Sequence, residues 1–351
     1  MPTTYAIPDG RVAMAATLYT GTNANLTVTN TVNGVSMQPD LVWMKRRSSA
    51  SSHVLIDSVR GVTKTINSDS TVAESTSSGT SGLLSFNSNG FSLGTDTTAN
   101  GSTNGSGQTY VGWQWNAGGS TVTNTSGSIS AQVRANATAG FSIVTYTGTG
   151  ANATVGHGLG VAPRMIIIKS RTFAGDWVVY HASIGNTGAV FLDLTNATST
   201  SSLYFQNTSP TSSVFSIGIA GGVNNSSSDT YVAYCFAAVA GYSAFGSYTG
   251  NGSADGPFVF TNFRPRWVMI KRTDANENWQ MYDTSRNTSN VVGEYLLANS
   301  SGAGATITVL DFLSNGFKIR VDGTNPGVNT SGGTYIFAAF AENPLKYANA
   351  R

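Results

Sequence analysis

Residues 141–169 read FSIVTYTGTGANATVGHGLGVAPRMIIIK. A β-branched and aromatic run, a loop of Gly, Asn, Thr and Ala, and a second apolar run closed by lysine together spell strand, turn, strand. The same landmarks occur twice more. Tyr19-Thr20-Gly21 leads to LVWMK ending at Lys45, Tyr146-Thr147-Gly148 to MIIIK ending at Lys169, and Tyr248-Thr249-Gly250 to WVMIK ending at Lys271. Eight residues beyond the lysines stand His53, Trp177 and Trp279, and twelve beyond stand Asp57, His181 and Asp283. Each stretch closes on a Thr-Tyr run: TYVGWQW from Thr109, TYVAYCF from Thr230, TYIFAAF from Thr334. Offsets this regular mark internal repetition.

The reading is three repeats of about 100 residues, a size that suits one domain each. Residues 1–118 form the first, 139–240 the second, and 241–351 the third with a C-terminal tail, while 119–138 is a polar linker or an exposed strand. In the second repeat FSIVTYTG, RMIIIKS, WVVYHA, AVFLDL, SLYFQ, VFSIG and TYVAYCFAA are short strand-like runs between turn residues. So many strands in so few residues predict an all-β chain of three tandem antiparallel β-sandwiches, jelly-roll or concanavalin-like. Alternation along the closing strands sets Val111, Trp113 and Trp115, Val232, Tyr234 and Phe236, and Ile336, Ala338 and Phe340 on one apolar face. That face is assigned to the core, with Trp115, Phe236 and Phe340 at matched places.

Composition agrees. Ser, Thr and Asn make 117 of 351 residues, against 6 Lys and 4 Glu. Such a chain builds turns and strands rather than coiled coils, bundles or a doubly wound fold. The net charge of +2 and the lack of basic blocks argue against nucleic acid. No apolar run reaches the ~18 residues of a membrane-spanning helix. The first residues, MPTTYAIPDGR, carry no secretory signal pattern, and the single Cys235 excludes an internal disulfide.

Chemistry is sparse. The three histidines (His53, His157, His181) lack metal-ligand spacing, and with the four glutamates they read as surface groups. Asp57 with Arg60, and Asp283 with Arg286, read as turns whose arginine folds back on its aspartate. Lys45, Lys169 and Lys271, at strand ends, are expected to snorkel to water. Asn251, Ser253 and Asp255 form a weak calcium candidate without a bidentate glutamate. No catalytic residue, metal or cofactor is expected. Binding is the better prospect: long uncharged loops beside an aromatic ring suit neutral sugars, and Trp43, Trp177, Trp267 and Trp279 are the candidate rings.

The strings AIPDGRVAMAATLYTG, TYVGWQWNAGG, VTYTGTGANATVGHGLGVAP, AYCFAAVAGYSAFGSYTGNGSADGPFVF and GGTYIFAAFAENPLKYANAR span nearly the whole chain. They resemble a repeat domain of virion proteins of tailed bacteriophages, described as tail-fibre or lectin-like. The resemblance implies a non-enzymatic protein on the virion surface, assembled in a bacterial cytoplasm, tail-associated and in contact with host surface glycans. The repeat frame begins within the first twenty residues, where many fibres carry an attachment domain. A capsid decoration, cement or head-fibre protein is therefore the alternative, and a glycan depolymerase a second. The expected partners are other virion proteins, host polysaccharide and further copies of the chain, as a trimer if tail-borne. Unblunted sheet edges and the tail residues Leu345 and Tyr347 suggest that interface.

Overall fold

The computed structural model describes residues 5–96, 101–322 and 326–342. The described residues are β throughout, apart from a 3-10 turn and three four-residue helices (Ser202–Phe205, Gly221–Asn224 and Pro326–Asn329). All strand pairings between named strands are antiparallel.

One pairing order occurs in three stretches of the chain. In the first, the sheet runs Met14–Thr20, Thr109–Trp115, Leu41–Arg46, Val54–Asp57. In the second, Phe141–Thr147, Thr230–Phe236, Met165–Ser170 and Val178–His181 sit in the same order within an eight-stranded sheet. In the third the order is Ser243–Thr249, Thr334–Ala341, Pro265–Arg272, Gln280–Asp283. That sheet continues through Val292–Leu297, Ala305–Leu313 and Gly316–Ile319 to Phe258–Phe260, a nearly closed barrel of eight strands. The lysine-terminated runs are central strands with both faces covered, which is why they lack polar alternation.

Residues 119–138 are neither free nor a tether. Val122–Asn124 and Ala131–Asn136 add two strands to the edge of the second sheet, and Arg134 pairs with Asp40 of the first stretch at 2.8 Å. SLYFQ departs from the strand reading. Ser201 caps it by accepting a hydrogen bond from Leu203 N, and Ser202–Phe205 turns as a helix that buries Phe205.

The central part of the core is shared by the three stretches. One apolar cluster takes in Val111, Trp113 and Trp115, Val232, Tyr234 and Phe236, and Ile336, Ala338 and Phe340. Trp115, Phe236 and Phe340 meet as a triangle, with ring centroids 6.2, 5.7 and 5.8 Å apart. Around them remains an apolar cavity of about 20 Å³, the room of a single water. Two further clusters lie outside it, one under the second sheet and one under the first.

Candidate functional site

The residues picked out by their spacing converge on the junctions between the three stretches. Each lysine Nζ donates to one carbonyl of its own stretch and one of a neighbour. Lys45 reaches Ser51 O (2.7 Å) and Ser301 O (2.9 Å), Lys169 reaches Gly175 O (2.9 Å) and Thr71 O (2.8 Å), and Lys271 reaches Glu277 O and Thr195 O (both 2.8 Å). All three are fully buried. The expected snorkelling is corrected, because carbonyls of two stretches enclose the ammonium before it reaches water. Burial draws each down to about 8.

The residues eight beyond the lysines cross the same junctions. Trp177 Nε1 donates to Asn67 O (2.9 Å) and Trp279 Nε1 to Phe191 O (2.7 Å). His53 Nδ1 accepts from Trp43 Nε1 (2.8 Å), so its proton sits on Nε2, which donates to Leu297 O (2.9 Å). Asn67, Phe191 and Leu297 are equivalent too, since Phe191 pairs with Val178 and Leu297 with Gln280, while Leu55 pairs with Ile66.

The residues twelve beyond the lysines explain one substitution. Asp57 accepts from Tyr234 OH (2.8 Å), and Asp283 from Trp113 Nε1 (2.9 Å). The corresponding residue on the third closing strand is Ala338, which has no donor. Opposite it stands His181 in place of aspartate, whose ring nitrogen meets Phe337 O at 3.1 Å. The two Asp–Arg turns have the expected geometry: Asp57 Oδ1 accepts from Arg60 N (2.9 Å) and Oδ2 from Arg60 Nε (2.5 Å), and Asp283 binds Arg286 likewise at 2.8 and 2.6 Å. The histidines are not surface groups. His53, His157 and His181 are buried; burial pushes His53 well below the usual range and His181 down to about 4.

The sugar-stacking rings are corrected as well. Trp43, Trp177, Trp267 and Trp279 are at most 3% exposed and belong to the shared cluster, so no ring face is open to a ligand. Among the described residues the exposed aromatic rings are Phe258 and Phe260, on the edge strand FVF, where inward Val259 separates them. In the calcium candidate, Asn251 Oδ1 is taken by Ser253 N (3.0 Å), Ser253 Oγ by Asp255 N (3.1 Å), and Asp255 by Lys318 (2.6 Å). Those oxygens cap a turn rather than converge. No cluster of three or more His, Cys, Asp or Glu at metal-binding distance exists among the described residues. Leu345 and Tyr347 lie outside the described residues.

A site the spacing did not reveal opens on the outer face of the first stretch. A cleft of about 430 Å³ is lined by hydroxyls from Ser52, Thr65, Ser75, Thr76, Ser77, Ser78, Ser81, Ser102 and Thr103, with Asn67 and Asp96, over Val54 and Ile56. It exists because Ile56 stands where the other stretches carry Tyr180 and Tyr282. Over Tyr180 the helix Ser202–Phe205 closes the space, Phe205 packing edge-on at 5.4 Å. Over Ile56 the chain is small and hydroxylated. The Asp96 carboxylate is engaged inside its own loop, accepting from Thr103 N (2.6 Å) and Asn104 N (2.9 Å).

Buried asparagines were also missed. Asn104, Asn224 and Asn329 each accept from the loop after the Tyr-Thr-Gly string, at Thr22 N (2.8 Å), Thr149 N (2.6 Å) and Asn251 N (2.9 Å). The tyrosines of that string stack on those of the closing strands: Tyr19 on Tyr110, Tyr146 on Tyr231, Tyr248 on Tyr335, at 4.9–5.1 Å. An asparagine six or seven residues ahead of each Thr-Tyr tyrosine was the readable signal.

No helix among the described residues is long and apolar enough to cross a membrane. No curated protein matches the chain. A family model described as a domain of unknown function (DUF7483) matches residues 12–344, a span that takes in all three stretches, and the chain belongs to that family.

Proposed function

We propose that the protein is a non-enzymatic surface component of a tailed-phage virion, built of three tandem copies of one antiparallel sandwich closed into a ring, which contacts host surface glycans through its first copy. The observation that carries the glycan reading is the cleft of about 430 Å³, with hydroxyl walls and an aliphatic floor. Hydroxyls donate and accept, as sugar hydroxyls do, and Val54 and Ile56 offer an apolar surface to a pyranose face. The virion setting rests on the resemblance of the repeat strings. The ring reading is supported by matched lysine, tryptophan or histidine, and aspartate or histidine contacts at all three junctions.

Saturation-transfer NMR with oligosaccharides from host surface polysaccharide tests the glycan reading. Wild-type protein is expected to bind, and Ser75→Trp with Ser78→Trp, both rim positions, to weaken binding at least ~10-fold with the fold unchanged. Wild type that does not bind, or a double variant that binds equally, contradicts it. A second reading, a capsid decoration protein without a glycan ligand, draws on the buried junctions, which make a rigid body suited to a lattice. Cryo-electron microscopy of the particle separates head from tail.

A further inference from the structure

The first and third copies meet neighbours through the same two arginine positions, but only one junction contains the carboxylate between them. Where the first stretch meets the second, Arg60 Nη1 donates to Glu74 Oε2 (3.0 Å), and Arg171 holds the same carboxylate through Nε and Nη2 (both 2.9 Å). Glu74 N also donates to Arg171 O (2.9 Å). Where the third stretch meets the first, Arg286 corresponds to Arg60 and Arg47 to Arg171. Gly304 corresponds to Glu74, because Gly304 N donates to Arg47 O (3.1 Å). With glycine there, a polar cavity of about 210 Å³ opens, lined by Arg47, Thr109, Arg286, Glu294, Gly304 and Thr306.

Arg286 lines that cavity, its guanidinium carbon 5.6 Å from the centroid of the Trp113 ring. Its side chain is 1% exposed, Nε is on Asp283, and Nη2 is on Met281 O (2.8 Å), as Arg60 Nη2 is on Leu55 O (3.1 Å). Nη1, the atom that in Arg60 meets Glu74, finds no hydrogen-bond partner among the described residues. A buried guanidinium N–H without an acceptor is costly, and a carboxylate is the acceptor of matching shape and charge.

We infer that this junction is a binding site for a small carboxylate, of a size up to a hexuronate, whose oxygens take the place that the Glu74 side chain fills in the other junction. Arg286 Nη1 donates to it, Arg47 supplies the second cation, and Thr109 and Thr306 line the room beyond. Glu294, which pairs with Arg47 at 2.8 Å, competes for that arginine and repels the ligand, so affinity is limited by it. The site lies away from the hydroxyl-lined cleft and stands independently of what that cleft binds.

The test is titration of the full chain with sodium acetate, sodium glucuronate and glucose, followed by NMR shifts of arginine Nε–H groups and by calorimetry. Acetate and glucuronate are expected to bind and glucose not. Acetate alone binding would mark a bare carboxylate as the ligand, and glucuronate at least ~10-fold tighter a uronate-bearing one. Gly304→Glu restores the internal carboxylate; an added Cβ meets only ordinary contacts, the nearest being Arg47 O at 3.6 Å. It is expected to weaken glucuronate at least ~10-fold, and Glu294→Gln to tighten it ~3-fold or more. No binding of either carboxylate at ~50 mM, equal binding of glucose, or a Gly304→Glu protein that binds as wild type overturns the inference.

Discussion

The inner faces of the three stretches are nearly alike, and the outer faces are not. Inside, the same positions supply the same contacts: Trp115, Phe236 and Phe340 at the centre, and Lys45, Lys169 and Lys271 at the junctions. Outside, the strand after the Tyr-Thr-Gly loop pairs with a later one in each stretch, but the cover over the equivalent residues Ile56, Tyr180 and Tyr282 differs: a hydroxyl-lined cleft, a short helix, and the ring of Tyr295. A side chain that must satisfy a buried donor in a neighbour has few replacements. One that faces water has many. Assembly is therefore concentrated inside and diversity outside.

The largest test of that contrast is truncation at the centre. Phe340→Ala removes a ring that touches Trp115, Phe236, Phe245 and Trp267, and is expected to cost about 3–5 kcal/mol in chemical denaturation. Loss of stability in the third stretch alone would mean that the centre is not shared.

A smaller effect is expected in acid. Burial holds native His181 at about 4, whereas a histidine in the unfolded chain titrates near 6.5. Between those values the unfolded chain binds a proton that the native chain does not. The contribution is thus complete above pH 6.5 and lost as pH falls toward 4, amounting to about 3 kcal/mol there. His181→Gln, which keeps an N–H donor toward Phe337 O, is expected to flatten this limb by a comparable amount. An unchanged pH profile would place the imidazole in contact with water.

Much of this inner frame was legible in the primary structure. The Tyr-Thr-Gly strings, the lysine runs and the closing strands located equivalent positions, and alternation put Trp115, Phe236 and Phe340 on one buried face. Which stretch a side chain reaches was not legible, because spacing relates positions within a stretch and carries nothing about how one stretch is placed against the next. Lys169 is an example: its second carbonyl, Thr71 O, lies ninety-eight residues away. Trp177 and Trp279 read as ligand rings in the sequence because their indole partners, Asn67 O and Phe191 O, likewise belong to a neighbour. The cleft was hidden by composition, since serines and threonines that line a cavity read like those of any loop.

Smaller still is the expected gain from Gly304→Glu, about 1 kcal/mol, as the junction of the third and first stretches acquires the ion-pair bridge that Glu74 provides between the first and second. A loss instead would show the two junctions to differ in backbone and not only in side chain. Smallest of all, Ser78→Trp at the rim of the cleft is expected to shift stability by no more than about 0.5 kcal/mol, in keeping with a surface free to vary.

Scanning calorimetry of the intact chain tests the shared core most directly. A central cluster shared by all three stretches predicts a single transition whose calorimetric and van't Hoff enthalpies agree. Two or three separable transitions, each with an enthalpy proper to ~100 residues, would contradict it and return the molecule to a string of independent sandwiches.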